Sequence, residues 1–192
     1  LICFRNGSLA REALRDQLGL DWSAFDQAAL GTTREAAGKN LMLPFFGPEI
    51  TPRGDFRQPM RRGSADFESG GEPGLQTRAL LEGQFLNMRL HSQWMNVTTE
   101  RLLLTGGASR NDGIAQIAAD VFQAPVERLD ISNSAALGAA IIAAIAGGCC
   151  AGELQQAFCR TSPGSRLMPD RTLAGTYADA VDRFSVLLKE AL

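Results

Sequence analysis

The chain has 192 residues, a formal net charge of −2 and an isoelectric point near 5.5. That length suits one sizeable domain burying roughly 70% of its unfolded surface, and the slightly acidic balance gives no basic footprint for nucleic acid. No apolar run reaches the ~20 residues of a membrane span, since the longest, Ala135 to Ala146, stops short; with no signal peptide at its start, the sequence predicts a cytoplasmic protein.

Leu1-Ile2-Cys3-Phe4 is an apolar, β-prone run with no initiator Met before it, which reads as a fragment of a longer protein. Arg5-Asn6-Gly7-Ser8 predicts a turn. Ser8 then caps a helix carrying Leu9, Ala13, Leu14 and Leu18 at helical spacing, and Gly19 ends it. A short second helix carries Trp22 near its start, followed by Phe25, Ala28, Ala29 and Leu30. By residue type alone Trp22 reads as a buried aromatic. From 31 to 74 prolines and glycines break every period. That irregular excursion predicts short strands at Leu41 to Phe46 and at Phe56, in a loop long enough to carry function or be ordered by a neighbour.

Leu75 to Met95 is the first strong helix, with Ala79, Gly83, Leu86, Leu90 and Trp94 in one stripe. Glycine inside a helix costs ~1 kcal/mol relative to Ala, so Gly83 predicts a close contact, and Glu82 beside it reads as structural. His91, the only histidine, falls on the exposed side of the stripe without clustered metal ligands.

Leu102 to Thr105 reads as a short buried strand that runs into Gly106 and Gly107, with a helix from Asp112 to Gln123 behind them. Ile114, Ile117, Ala118, Val121 and Phe122 form its buried face. A strand that ends in glycines and feeds a helix aims N–H groups at one spot, which suits phosphate or another polar ligand. A second strand covers Pro125 to Asp130. Ser132-Asn133-Ser134 caps a helix from Ala135 to Ala146 that is apolar on nearly every side and is expected to pack closely on a sheet or another helix. Gly147-Gly148 stops it, and a short helix follows from Glu153 to Cys159. Gly175 to Leu192 is amphipathic through Tyr177, Val181, Phe184 and Leu188, and is expected to dock on the surface of the core. Strand, helix, strand, helix from 101 to 146 predicts a parallel βαβ unit and an α/β domain.

The glycine turn fails the common nucleotide motifs. A Walker loop needs a Lys after its glycines, where Ala108-Ser109-Arg110 stands. The Rossmann spacing fails at the second and third glycines, with Asp130 the one partial match. Neither a Gly-x-Ser-x-Gly elbow nor a paired-carboxylate constellation is present. Cys3, Cys149, Cys150 and Cys159 lack zinc-site or disulfide-framework spacing and are expected to be reduced thiols.

Leu104-Thr105-Gly106-Gly107-Ala108-Ser109-Arg110-Asn111, Gln116-Ile117-Ala118-Ala119-Asp120, Ala124-Pro125-Val126 and Ser134-Ala135-Ala136-Leu137-Gly138-Ala139-Ala140 together resemble the C-terminal half of the FGGY carbohydrate kinases. Arg78-Ala79-Leu80-Leu81-Glu82-Gly83-Gln84-Phe85 resembles that family's second signature helix. Phe4-Arg5-Asn6-Gly7-Ser8-Leu9, Trp22-Ser23-Ala24-Phe25 and Pro48-Glu49-Ile50-Thr51-Pro52 resemble its xylulose kinases.

The resemblance implies an actin-like enzyme with a ribonuclease-H-like α/β core in each half, a mixed sheet with flanking helices. ATP and Mg2+ lie between the halves. Residues 1–192 would form a single ATP-binding domain, the sugar being held mainly by an N-terminal half outside this chain. It further implies that Gly106 shapes the turn, that Gly107, Ala108 and Asn111 contact the nucleotide, that Gly7 lies near the phosphates and that Trp22 lies near the adenine. No catalytic base and no protein metal ligand are expected here, and the chain alone is expected to be inactive. A homodimer is compatible with these expectations. Asn111 also reads as a plain helix N-cap. Thr105 stands where many relatives have a third glycine, a departure that bears on the shape of the turn. A non-catalytic actin-like binding or assembly module is the rival reading.

Overall fold

In a computed structural model, which describes residues 2–31, 34–131 and 133–192, the elements run α1 (Ser8–Gln17), α2 (Trp22–Gly31), β1 (Leu41–Leu43), β2 (Met60–Arg62), α3 (Ala65–Glu68), α4 (Pro73–Ser92), β3 (Leu102–Leu104), α5 (Asp112–Phe122), β4 (Val126–Arg128), α6 (Ser134–Ala146), α7 (Ala151–Phe158) and α8 (Ala174–Ala191).

Helix α4 is the spine. Pro73 sits at its first turn, where a missing N–H costs nothing, and α1, α2, β1, α5 and α8 all pack on it. A helix with neighbours on every side buries polar residues too, and Gln76, Thr77, Glu82, Gln84 and Asn87 are all covered. The predicted stripe holds through Leu86. It ends before Trp94, which lies 72% exposed in a 3-10 turn, and His91 is half-buried with Nδ1 3.0 Å from the Asn87 carbonyl. Gly83 meets its expected close contact: a Cβ there would sit 2.2 Å from the Met42 carbonyl oxygen of β1.

Two small sheets flank this spine. β1 and β2 pair antiparallel, Leu41 opposite Arg62 and Leu43 opposite Met60. The excursion from 31 to 74 thus holds a hairpin-like pair whose second strand lies at 60–62, and Phe56 instead packs tilted on Phe45 at 4.4 Å. β3 and β4 pair parallel, Leu102 opposite Val126, with α5 as the crossover predicted from sequence. On the far side of β4, Val126 bridges Leu167 and Leu129 bridges Thr161, both antiparallel, so the sheet is mixed.

Several expectations give way to packing. Residues 2–4 form no strand, and Leu1 lies outside the described residues. Ser8 is the first helical residue of α1 and not its cap; Gly7 takes that position without a side-chain hydrogen bond. β3 is only half-covered, with Leu103 exposed, because β4 is its one paired neighbour among the described residues. Helix α6 has no buried residue among those described, with Ile142 70% exposed, so the expected close packing is not made; its one substantial neighbour there is α7. Asn133 supplies the α6 cap, accepting from the Ala136 N–H at 3.0 Å, and Ser132 lies outside the described residues. Helix α8 goes deeper than surface docking: Tyr177, Val181, Phe184 and Leu188 are buried in the same cluster as Leu86, Ile117 and Val126.

Candidate functional site

The C-terminal ends of parallel strands β3 and β4 open into one cavity of about 670 Å³, lined by Gly106, Gly107, Ser109, Arg110, Arg128, Asp130 and Ser162 among others. Parallel α/β sheets place ligands beyond these strand ends. Gly106 has φ +87°, a left-handed conformation that glycine adopts without a Cβ penalty. Its carbonyl then accepts from the Ser109 N–H at 3.2 Å and from the Ser109 hydroxyl at 2.7 Å, closing the 3-10 turn Gly107–Arg110 that contains Ala108.

Gly107 is different in kind. A Cβ there would meet nothing within 4 Å and its φ is not positive, so the fold of this chain does not require glycine at the position. Gly7 also has open space around it, a Cβ there meeting nothing within 4 Å, with φ −90° and ψ −107°. A glycine that packing does not explain, on the rim of a polar cavity, is what a closely approaching ligand backbone or phosphate demands.

Asn111 is the N-cap of α5, its Oδ1 accepting from the N–H groups of Gly113 at 2.9 Å and Ile114 at 3.0 Å. The cap reading from sequence is thus realised, and the side-chain carbonyl is committed to the helix. Only the Nδ2 donor is left to face a ligand. Below it, Leu30 at the end of α2 fills the space where a Gly113 Cβ would stand, at 1.6 Å.

Trp22 opens α2 at the end opposite Leu30, about 12 Å away along the helix axis. It is 45% exposed, against the buried aromatic its residue type suggests. The Arg15 guanidinium lies over its ring at 4.5 Å and Phe25 stands edge-on at 5.7 Å, so the indole is braced while remaining accessible. The cavity at the glycine turn includes neither Trp22 nor Gly7.

Gly7 is held from two sides. Gln84 Nε2 donates to the carbonyls of Asn6 and Gly7, each at 2.8 Å. Glu49 accepts from the N–H groups of Arg5 at 2.6 Å and Asn6 at 3.0 Å. Burial pushes the Glu49 carboxyl up, but hydrogen bonds from the Arg5, Asn6 and Ile50 N–H groups and the Asn6 amide outweigh it and hold it below the usual carboxylate range. Arg128 and Ser162 carry no motif in the sequence, and only the fold gathers them beside Arg110. Arg128 also pairs with Asp112 in the first turn of α5.

The profile described as "FGGY family of carbohydrate kinases, C-terminal domain" matches residues 4–147. The chain belongs to the FGGY family of carbohydrate kinases. Among curated relatives of this FGGY chain, the xylulose kinase of Mus musculus is 35% identical over 201 residues, covering 100% of this chain and 36% of that protein. The xylulose kinase of Rattus norvegicus is 34% identical over 199 residues, again across 100% of this chain and 37% of its own length. The crystal structure of the xylulose kinase from Rhodospirillum rubrum superposes with a TM-score of 0.78 at 28% identity, covering 98% of this chain and 38% of that one. The chain therefore spans a little over a third of these relatives' length. Its fold is that of the actin-like FGGY kinases, mixed α/β as expected.

Among the described residues no helix is long and apolar enough to cross a membrane, and no group of three or more His, Cys, Asp or Glu is gathered to hold a metal ion.

Proposed function

We propose that this chain is the nucleotide-binding C-terminal part of an ATP-dependent xylulose kinase of the cytoplasm. The remainder of the enzyme, upstream, holds most of the sugar and supplies the base that deprotonates its hydroxyl. The full enzyme moves the γ-phosphoryl group of ATP to D-xylulose O5. The observation that carries this reading is Gly107, a glycine the fold does not need, on the rim of the polar cavity where β3 and β4 end.

In this reading the bare backbone at Gly107 and Ala108 approaches the nucleotide, with Gly106 setting the turn. Asn111 presents Nδ2 to the purine or ribose. Gly7 lies beside the phosphates, at a helix N-terminus whose first-turn N–H groups have no side-chain cap. Trp22 lies beside the adenine, and stacking there contributes ~1–3 kcal/mol by analogy with bases on aromatic side chains. Arg110 and Arg128 place positive charge on the cavity wall. Bound ATP supplies the phosphoryl group, and positioning by residues such as these makes up most of the protein's contribution to such transfers. Mg2+ would accompany the nucleotide's phosphates; no cage for it is assigned among the described residues.

The test is titration of ATP into this chain while following tryptophan emission, with Trp22→Phe separating the response from that of Trp94. Saturable quenching that disappears in Trp22→Phe is expected. No binding at millimolar ATP, by emission or by calorimetry, in this chain and in the full-length protein would overturn the reading and favour a non-catalytic actin-like module.

A further inference from the structure

We infer that Gln84 is a positioning residue for the nucleotide: it fixes Gly7 at the N-terminus of α1 so that the first-turn N–H groups are already in place when the phosphates arrive. This rests on the nucleotide reading of Gly7 given above.

The Gln84 side chain is 4% exposed and fully engaged. Its Nε2 donates to the carbonyls of Asn6 and Gly7, each at 2.8 Å and from 78 and 77 residues away in sequence. Its Oε1 accepts from Arg11 Nε at 2.9 Å. With both amide hydrogens and the oxygen committed, the side chain has one orientation. The backbone beside it is fixed as well, because Gly83 is wedged against the Met42 carbonyl and α4 has no room to slide.

From the opposite side, Glu49 takes the Arg5 and Asn6 N–H groups, while Asn6 Nδ2 donates to the Gly47 carbonyl at 3.2 Å and Asn6 Oδ1 accepts from the Phe46 N–H at 3.0 Å. The turn at 5–7 is thus gripped through its donors by one residue and through its acceptors by another. What this grip leaves unengaged is the start of α1, which has neither a side-chain cap nor an acidic residue in its first turn. A turn so held needs no reordering on binding, which is how preorganisation lowers the cost of association.

The experiment is steady-state kinetics of Gln84→Leu and of the isosteric Gln84→Glu in the full-length kinase, beside Gly7→Val and thermal melts of each. Both Gln84 variants are expected to raise the Michaelis constant for ATP by about tenfold, the scale of one or two neutral hydrogen bonds. The constant for xylulose and kcat should stay within about twofold. If the two Michaelis constants rise together, or the melting temperature falls while both stay at the wild-type value, Gln84 is merely structural and the inference is overturned. If Gln84→Leu does not accumulate as folded protein, Gln84→Glu supplies the same comparison. Gly7→Val separates the layers. Should it leave the ATP constant unchanged, the nucleotide reading of Gly7 fails and the inference with it. Should it raise that constant while the Gln84 variants do not, only the positioning role fails.

Discussion

The Tyr177 hydroxyl of α8 donates a 2.8 Å hydrogen bond to Glu82 Oε1 of α4, joining residues 95 apart in sequence inside the core. Arg78 Nε reaches the same oxygen at 2.8 Å, and the Gly38 N–H donates to Oε2 at 2.9 Å. Burial pushes the Glu82 carboxyl above its ordinary range despite these partners, and burial with the neighbouring carboxylate pushes the Tyr177 phenol up. Glu82 is therefore structural, as its sequence context suggested. Tyr177→Phe is expected to cost about 1.5–3 kcal/mol, the range for a hydrogen bond to a charged group. Urea unfolding monitored by circular dichroism measures that loss, and nucleotide affinity should not move with it.

Gly83 and Met42 set the distance between α4 and β1. Ala at 83 would favour the helix by ~1 kcal/mol, but its Cβ would lie 2.2 Å from a backbone oxygen that cannot rotate away. Overpacking of this kind costs ~1–3 kcal/mol and wins. Gly83→Ala should lower the melting temperature by several degrees in a calorimetric scan; an unchanged or raised midpoint would show that β1 yields.

Asn111 combines a cap and a donor, and substitution can separate them. Asn111→Asp keeps an oxygen for the Gly113 and Ile114 N–H groups but removes Nδ2. Its stability should stay near that of the native chain while the Michaelis constant for ATP rises more than that for sugar. Asn111→Ala loses both functions and should also cost ~1 kcal/mol of stability. Paired melts and kinetics check the two effects, and an Asp variant with native ATP kinetics would leave Asn111 as a cap alone.

The two glycines of the turn should fail differently. Gly106→Ala forces a Cβ into φ +87° and should destabilise by ~1–2 kcal/mol. Gly107→Val meets open space, so it should fold normally and weaken ATP binding. Thermal melts and nucleotide titration of both variants make the comparison, and normal ATP affinity in Gly107→Val would remove that glycine from the site.

Glu49 makes part of the stability pH-dependent. Its folded-state pKa is depressed, so its contribution is fully present above the unfolded value of ~4.3 and is lost as pH falls through the folded value. The stability gap between the native chain and Glu49→Gln should be constant above about pH 5 and shrink below about pH 4.3. Denaturant melts at a series of pH values would show the trend, and a gap that widens on acidification would contradict it.

Much of this arrangement was legible in local pattern. The spacing of Ile114, Ile117, Ala118 and Val121 located α5, and the glycines located the turn before it, because periodicity and backbone freedom are properties of a few adjacent residues. What escaped depends on residues far apart. That Gly7 would take the cap position in place of Ser8 reflects the grip of Glu49 on Asn6 and of Gln84 on Gly7, from 43 and 77 residues away. That β2 would form at Met60 rather than at Phe56 follows from pairing with β1, and Phe56 is instead drawn to Phe45. The exposure of α6 is not legible locally, because composition states that a helix is apolar but not what lies next to it.

The position of α4 has a consequence for how the chain opens in time. Regions open locally with free energies running from near zero up to that of the whole fold. Through Gln84, Gly83 and Glu82, α4 ties the turn at Gly7, the strand at Met42 and the last helix at Tyr177 into one unit. Its amide hydrogens should exchange with solvent deuterium last and together, whereas those of α6 and α7, with no buried residues among those described, exchange first. Gly7, read as a nucleotide contact, sits against the slow-exchanging part of the molecule.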